Sequence, residues 1–416
     1  MPTKPTLALV SLGCAKNAAD LEVMAGDLLA SGYALSPNPD VADVAIVNTC
    51  SFIAAAREEA EREILRALEL KRRGSYGRVV VAGCYPQRYP KAAAKFPGVD
   101  AWQGVPKEWT DGKMPAFRLT GKAFAYLKIA EGCVHRCSYC AIPSIRGRFR
   151  SRPADSIIKE AKALLATGCR ELNIVAQDPM MYGRDVAGGI GLSGLLRRLD
   201  RLRGDFWIRV LYSYPSEIDG DFVSWMLSSK HAVRYVDMPI QHTVPKVLAK
   251  MNRRRAIDAS LEMPGLLRDV VDGITLRTTV ITGFPGETDA DFAKLRSDLA
   301  RMQFDRLGAF AYSPEKGTKA ALMPGRPSKA VALLREKAVM DDAAKLWRQK
   351  AKALIGKEFK ALVVAPGVAR MESQAPDVDG VTYLLDTPGA RKVSTGEFTT
   401  VRLVRAAGFD FEGEVV

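Results

Sequence analysis

The residues with the clearest capacity for chemistry are three cysteines in the stretch EGCVHRCSYC, residues 131–140. Cys133, Cys137 and Cys140 follow the spacing C-x-x-x-C-x-x-C. Thiolates are preferred ligands of soft metals and iron–sulfur clusters, whereas a structural zinc site usually takes four ligands in two pairs. Three local thiols without a second pair favour a four-iron cube that leaves one iron open. A structural zinc site or a chance grouping is the alternative.

A second set of three cysteines is spread over the first hundred residues. Cys14, Cys50 and Cys84 end the apolar runs TLALVSLGC, VADVAIVNTC and YGRVVVAGC. Such runs are typical of buried parallel strands, and helical segments after the first two predict a doubly wound parallel sheet. Because ligands bind at the carboxyl ends of strands in such sheets, we expect these thiols to converge. Buried cysteines also serve as small hydrophobic residues, and spacing alone leaves that alternative open.

The chain has 416 residues and seven cysteines, and an odd number argues against a disulfide framework. The seventh, Cys169 in ATGCRELNIV, has no neighbouring cysteine, so we expect it in the core. We find no signal peptide and no apolar stretch of about 18 residues. These features predict a cytoplasmic protein that does not associate with membranes.

A second series of elements begins at about Ala123. Six strand-like segments, from FAYLKIA to LGAFAYS, alternate with helical patterns and predict a (β/α)6 partial TIM barrel. The first cysteine triad directly follows the first of these strands. Other chemically useful residues follow later strands: Gln177, Asp178, His242, Gly283, Glu287 and Glu315. Ligands of such barrels bind at these strand ends, although each residue is equally typical of a turn or a helix cap.

The last part of the chain has a different character. After a long helical stretch, the strand-like segments EFKALVVA, GVTYLLD and FTTVRLVRAA predict a small antiparallel β-barrel. We therefore predict α/β architecture in three domains, residues 1–118, 119–352 and 353–416. The chain has a net charge of +14, but residues 353–416 hold seven Lys/Arg and nine Asp/Glu, a net charge of −2. An RNA-binding barrel needs a basic surface, so a mildly acidic one favours a basic protein partner or is merely solvated.

Two stretches of the chain are rich in arginine. Arg146, Arg148, Arg150 and Arg152 alternate along the chain. They either line an entry and bind a carboxylate bidentately or form an exposed strand face. NRRRA, residues 252–256, is interpreted as a solvated charge run.

The triad loop resembles that of the radical S-adenosylmethionine (SAM) enzymes. In those enzymes three cysteines hold a 4Fe-4S cluster whose open iron chelates SAM. Tyr139 occupies the aromatic position that the family has before the third cysteine. The resemblance implies that Cys133, Cys137 and Cys140 are the catalytic cluster ligands. It also implies that Tyr139 and the polar residues at the strand ends contact SAM.

The stretches SLGCAKNAADLEVM, NTCSFIAAAREEA and AGCYPQRYP resemble the N-terminal domain of the methylthiotransferases, a family that also carries a TRAM-like barrel. The resemblance implies that Cys14, Cys50 and Cys84 hold a second 4Fe-4S cluster, which handles the sulfur. One departure is Leu21, which stands where the family usually has serine; Asp20 and Glu22 match the family pattern.

Two branches of this family differ in their substrate. One modifies N6-isopentenyladenosine or threonylcarbamoyladenosine in tRNA, and the other modifies an aspartate of small-subunit ribosomal protein twelve. SLGCAKN, EGCVHRCSYCAIPSIRGRFRSR and AYSPEKGTKA resemble the second branch. That resemblance implies methylthio transfer to the aspartate β-carbon, with SAM as both methyl donor and radical source.

The partners implied are a basic ribosomal protein, free or on the small subunit, a reductant such as flavodoxin or ferredoxin, and a sulfur donor. Nucleic acid would be contacted through the ribosome. Two rival hypotheses remain: tRNA methylthiolation, and a nucleic-acid-binding protein whose thiols hold structural zinc.

Overall fold

The first part of the protein is a five-stranded parallel sheet with the strand order β2-β1-β3-β4-β5. The computed structural model describes residues 4–106, 117–387 and 391–416. The strands are β1 (Thr6–Ser11), β2 (Ala34–Leu35), β3 (Ala42–Thr49), β4 (Tyr76–Gly83) and β5 (Ala101–Trp102), and the helices are α1 (Ala15–Ala30), α2 (Ala54–Arg72) and α3 (Cys84–Arg88). Helix α1 packs on one face and α2 on the other, which confirms the doubly wound arrangement.

The sequence of the central strand explains its position in this sheet. Strand β3 reads ADVAIVNT, and its last five residues are buried. Nearly continuous apolar residues suit a parallel strand that is covered on both faces. Strands β1, β3 and β4 are neighbours and run in the same direction, so their carboxyl ends share one edge of the sheet.

The middle of the chain forms six parallel strands with helices outside them. The strands are β6 (Phe124–Lys128), β9 (Glu171–Val175), β10 (Trp207–Val210), β11 (Tyr235–Asp237), β12 (Thr275–Thr282) and β13 (Arg306–Ala311), and a hairpin of β7 (Ala130–Glu131) and β8 (Arg150–Ser151) follows β6. The helices are α4 (Ile142–Arg146), α5 (Ala154–Ala166), α6 (Gly191–Asp200), α7 (Gly220–Ser228), α8 (Pro245–Lys250), α9 (Ile257–Val270), α10 (Asp289–Met302) and α11 (Lys329–Lys352). These strands match the six predicted segments.

The six strands form an arc rather than a closed barrel. They are paired in the orders β10-β9-β6 and β11-β12-β13, and an isolated parallel bridge between Ile208 and Ala232 joins the two groups. Within the described ranges no pairing joins β6 to β13. The predicted partial barrel is therefore confirmed, with its concave side open to other parts of the chain.

The C-terminal strands close into a small barrel with the order β14-β15-β16-β18-β17. They are β14 (Glu358–Ala365), β15 (Val368–Met371), β16 (Thr382–Leu384), β17 (Phe398–Ala407) and β18 (Asp410–Val415). The predicted antiparallel pairing holds except between β16 and β18, which are parallel. These two strands are separated by β17 in the sequence, so no hairpin forces them to run in opposite directions.

The open side of the arc is filled by the two flanking domains. Ala15, Ala18 and Ala19 of α1 join a buried cluster with inward-facing residues of the core strands, and Leu362 and Ala375 of the C-terminal region join the same cluster. Buried ion pairs add to this contact, because Glu171 of β9 bonds both Arg209 of β10 and Arg370 of β15. The three parts of the chain therefore share one interior.

No helix in the described part of the chain is both long and apolar enough to cross a lipid bilayer. Cys169 is buried in the largest hydrophobic cluster, as predicted.

Candidate active site

The set of Cys14, Cys50 and Cys84 lies at the shared edge of the N-terminal sheet. Cys14 precedes α1, Cys50 directly follows β3, and Cys84 begins α3. Gly13 has φ +96°, and a Cβ on it would lie 2.8 Å from Cys50 Cβ, so only glycine lets the backbone approach Cys50 this closely. Burial raises the pKa of Cys84 to about 12; Arg146 opposes this shift, and the charges of Cys50 and Cys14 add to it. The three cysteines therefore lie at the same edge of the sheet, and their joint binding of one cluster stays a prediction.

The triad of Cys133, Cys137 and Cys140 occupies the loop after β7. Gly132 opens this loop with φ +80°, and a Cβ there would lie 2.2 Å from the carbonyl oxygen of Arg148. Burial raises the pKa values of Cys133 and Cys140 to about 12, and the charge of Cys137 adds to both shifts. The three thiols are thus presented on one short loop, residues 133–140.

Within the described ranges no three His, Cys, Asp or Glu side chains are arranged to hold a single metal ion. A four-iron cluster is held by several cysteine thiolates, and it does not require three side chains to converge on a single ion. Three thiols in each set, presented on loops at strand ends, fit this kind of group.

The two cysteine sets lie next to each other across the domain boundary. Cys84 packs in one buried cluster with Ala141, the residue after Cys140, and with Ile145. The helices α3 and α4, which begin at and just after these cysteines, are in contact. Cys84 and Ala141, which are 57 positions apart in sequence, thus link the two cysteine sets through one buried cluster.

A buried ionic network centred on Arg146 also crosses this boundary. Its Nη1 atom lies 2.6 Å from Asp20 Oδ2 and 3.1 Å from Glu131 Oε2, and its Nη2 atom lies 3.2 Å from Cys84 Sγ. Lys128 pairs with the same two carboxylates. Neither sequence interpretation of Arg146 holds, because α1 and the triad hairpin enclose its guanidinium and supply its carboxylates.

The other arginines of this run have different environments. Arg152 is buried and pairs with Glu160, so the interpretation as an exposed strand face is wrong for it as well. Arg148 and Arg150 are exposed. Because β8 is only two residues long, the alternation does not continue along one strand face.

Tyr139 is placed beside the predicted SAM-contacting loop after β12. Its ring packs edge-on against Phe284, with ring centroids 6.4 Å apart. The adjacent Gly283 has φ +71°, and its N–H donates to Glu287 Oε2 at 2.9 Å. His242 Nε2 lies 3.6 Å from the same carboxylate oxygen. The structure therefore brings four of the predicted cofactor-binding residues into one region.

Glu287 and Glu315 make ion pairs with arginines. Arg335 Nη1 lies 2.7 Å from Glu287 Oε1, and Arg88 Nη1 lies 3.1 Å from Glu315 Oε2. The second pair ties the core to the N-terminal domain. Both carboxylates thus have a structural function, and their contact with SAM stays a prediction.

Strand β9 ends at Val175, so Gln177 and Asp178 lie just beyond the strand rather than ending it, and they contact the triad loop. Gln177 Nε2 donates to Glu131 Oε1 at 2.7 Å, and Asp178 Oδ2 lies 2.6 Å from His135 Nε2. Gln177 Oε1 and Asp178 Oδ1 are buried without a hydrogen-bond partner in the described part of the chain. Unpartnered buried oxygens are costly, so this strand end has acceptors available for a ligand with donor groups.

Arg253 was missed by the sequence interpretation of residues 252–256 as solvated. Its guanidinium is buried, lies over the Tyr214 ring at 4.1 Å, and places Nη1 4.0 Å from Cys137 Sγ. Arg254 and Arg255 are exposed, as expected. A run of identical residues carries no signal of which member points inward, because that depends on the turn that follows α8.

Lys16 is a further buried residue that sequence reasoning did not single out, although it lies in the quoted SLGCAKN. Its Nζ atom lies 3.5 Å from the Ala176 carbonyl oxygen and 3.5 Å from the centroid of the Tyr212 ring. Burial lowers the pKa of this lysine, partly opposed by Cys14.

Comparison with known proteins places this geometry in a family. Residues 6–104 match the model of uncharacterized protein family UPF0004, residues 127–299 that of the radical SAM superfamily, and residues 352–416 that of the TRAM domain. The ribosomal protein uS12 methylthiotransferase RimO of Geotalea uraniireducens is 38% identical, with 99% of each chain covered. The protein of the same name from Moorella thermoacetica is 40% identical, with 98% of this chain and 99% of that one covered. The chain belongs to the RimO family.

A solved structure supports the RimO-family fold independently of close sequence similarity. The radical S-adenosylmethionine methyltransferase TsrM from Kitasatospora setae, solved with cobalamin and a 4Fe-4S cluster bound, has a TM-score of 0.56. It is 16% identical, and 77% of each chain is covered. At this identity the likeness concerns the fold, and the roles of individual cysteines in this RimO-family chain stay predictions.

Proposed function

We propose that this RimO-family protein transfers a methylthio group to the β-carbon of an aspartate in ribosomal protein uS12. The observation that supports the proposal is the buried cluster of Cys84, Ala141 and Ile145, because Cys84 belongs to one cysteine set and Ala141 directly follows the last cysteine of the other. When two such sites are adjacent, one site can activate a substrate carbon and the other can donate sulfur to the same carbon. Full-length relatives that carry this activity in their names support the assignment.

We assign the two sites to two 4Fe-4S clusters. Cys133, Cys137 and Cys140 would hold the cluster that works with SAM, and Cys14, Cys50 and Cys84 would hold the cluster that handles sulfur. When bound, the first cluster and SAM supply a radical that removes hydrogen from an unactivated C–H bond, which acid–base side chains cannot do.

The side chains around the triad would bind and orient SAM. Gln177 Oε1 and Asp178 Oδ1 offer free acceptors, and Tyr139 offers an aromatic face beside Gly283. The triad lies on the loop between β7 and α4 at the carboxyl end of the arc, where α1 covers the open side.

The C-terminal barrel favours the protein substrate over tRNA. Five of its seven Lys/Arg form ion pairs with carboxylates: Lys360, Arg370, Arg391, Arg402 and Arg405. Basic groups that are already neutralised gain little by binding phosphates. A mildly acidic barrel instead suits a basic ribosomal protein, free or on the small subunit.

We propose domain boundaries at 118/119 and 352/353. Helix α11 ends at Lys352 and β14 begins at Glu358, consistent with the second boundary. The segment before the first boundary includes residues 107–116, which lie outside the described residues. A reductant such as flavodoxin or ferredoxin and a sulfur donor complete the proposed reaction.

The decisive experiment is a reaction of anaerobically reconstituted enzyme with uS12, SAM and reductant, followed by mass analysis of uS12. We expect one methylthio group on an aspartate. Unmodified tRNA in a parallel reaction is the control, and a methylthio group on RNA but not on uS12 would contradict the proposal. About eight irons and eight acid-labile sulfides per chain are expected; zinc without sulfide would contradict the cluster assignment.

A further inference from the structure

Lys16 is a buried lysine whose ammonium group has no carboxylate within ion-pair distance in the described part of the chain. The residue is 9% exposed, and its Nζ contacts are the Ala176 carbonyl oxygen and the Tyr212 ring. A buried ammonium is costly unless an anion pairs with it. The positive charge of Lys16 is therefore only partly compensated by groups of the protein.

The other charged groups of this region form ion pairs with one another. Arg146 pairs with Asp20 and Glu131, and Asp237 lies 3.6 Å from Arg277. These three carboxylates thus have arginine partners of their own, so an anion for Lys16 has to come from outside the chain or from the Cys14 thiolate.

Lys16 lies near Cys14 and near the carboxyl end of strand β9. It follows Cys14 by two residues, and its side chain reaches Ala176, which precedes Gln177 at the end of β9. A substrate carbon served by both sites has to lie between them. In aspartate the carboxylate is bonded directly to the β-carbon, so a cation at this position would hold the group next to the reacting atom.

Tyr212, whose ring contacts Lys16, has an unusual backbone conformation. Its φ is +71°, in the left-handed region that non-glycine residues rarely adopt. Its N–H donates to Asp237 Oδ2 at 3.1 Å, which holds the ring against the ammonium. Such strain persists where the surroundings enforce it and is concentrated at functional sites.

We propose that Lys16 Nζ binds the side-chain carboxylate of the substrate aspartate and determines the preference for aspartate over asparagine. This inference rests on the proposed function and names the group that recognises its substrate. The ammonium donates charge-assisted hydrogen bonds to the carboxylate oxygens and leaves the β-carbon facing the two cysteine sites.

The test compares the binding of two forms of uS12 to the reconstituted holoenzyme without reductant, by fluorescence anisotropy. The forms carry either the native target aspartate or asparagine in its place. We expect the wild-type enzyme to bind the aspartate form about tenfold or more tightly, which is typical of a charge-assisted hydrogen bond. The Lys16→Met variant should lose this preference, and Lys16→Arg should retain part of it. The exposed Lys95→Gln variant is the matched control and should behave as wild type.

Equal binding of the two forms by the wild-type enzyme would overturn the inference without requiring any variant to fold. A preference that survives Lys16→Met while the visible cluster absorption changes would overturn it too, and would show that Lys16 serves the Cys14 thiolate. Methylthio transfer by the wild type is measured in parallel. Its absence would refute the proposed function itself, whereas transfer combined with an unchanged preference refutes only the role of Lys16.

Discussion

Arg146 Nη2 lies 3.2 Å from Cys84 Sγ, although the two residues belong to different domains and are 62 positions apart. The same guanidinium neutralises Asp20 of α1 and Glu131 of β7. One side chain thus joins the sulfur-handling site that we propose, the helix that covers the arc and the triad hairpin. Correct assembly of the two sites should depend on it.

We expect Arg146→Met to destabilise the protein strongly. The substitution leaves Asp20 and Glu131 buried with only Lys128 to neutralise them, and removing one member of a buried ion pair costs about 3–5 kcal/mol. Urea denaturation followed by tryptophan fluorescence measures the effect. The exposed Arg148→Met is the matched control and should change the free energy of unfolding by less than about 0.5 kcal/mol. Equal stability of the two variants would show that the network is not needed.

Cysteine substitutions should separate the two proposed clusters. Cys137→Ala should lose about half of the iron and all SAM cleavage. Cys50→Ala should also lose about half of the iron but continue to cleave SAM without methylthio transfer. Iron analysis and measurement of 5′-deoxyadenosine distinguish these results.

The control for both cysteine variants is Cys169→Ala, which alters a buried core thiol outside the two sets and should keep full iron content. If Cys50→Ala still formed the full amount of product, the proposed sulfur function of its cluster would be wrong.

Glu22 should make the stability fall as the pH rises. Burial raises the pKa of this carboxyl from 4.5 to about 7, although the Leu119 N–H donates to it at 2.8 Å. Between these values the unfolded chain has released the proton while the folded chain retains it, so increasing pH favours unfolding. Above pH 7 the accumulated cost is about 3 kcal/mol, at about 1.4 kcal/mol per pH unit.

Glu22→Gln removes the ionisable group and keeps an oxygen that can accept from Leu119. It should therefore be more stable than wild type at pH 8 and lose this advantage near pH 4. Urea denaturation at several pH values checks this, with the exposed Glu59→Gln as a control that should follow the wild-type profile. A wild-type stability that increases between pH 5 and pH 7 while Glu22→Gln stays flat would contradict the assignment.

The C-terminal barrel should be held to the core by Arg370. Glu171 is fully buried, and its pKa is lowered despite burial because Arg370 and Arg209 neutralise it. Arg370→Met would leave Glu171 with Arg209 alone, so we expect a loss of about 3 kcal/mol and easier proteolytic release of the barrel. Arg402→Met breaks an exposed pair with Glu358 and should cost less than about 1 kcal/mol. Identical proteolysis rates for both variants would argue against this anchor.

The sequence by itself predicted two sets of three cysteines and determined the sheets that present them. The triad is local, so its spacing is covalent and does not depend on folding. The convergence of Cys14, Cys50 and Cys84 follows from the parallel direction of neighbouring strands, because three carboxyl ends must share one edge. Repeated apolar runs alternating with helical segments were enough to predict the parallel sheet that presents these three cysteines.

Only the tertiary structure decided which charged residues are buried. Arg146, Arg253 and Lys16 are indistinguishable in sequence from the solvated arginines and lysines around them. Their burial arises because α1, the triad hairpin and the turn after α8 come together from distant parts of the chain. Pairing of a charge depends on which elements pack around it, and a pattern within one element does not contain that information.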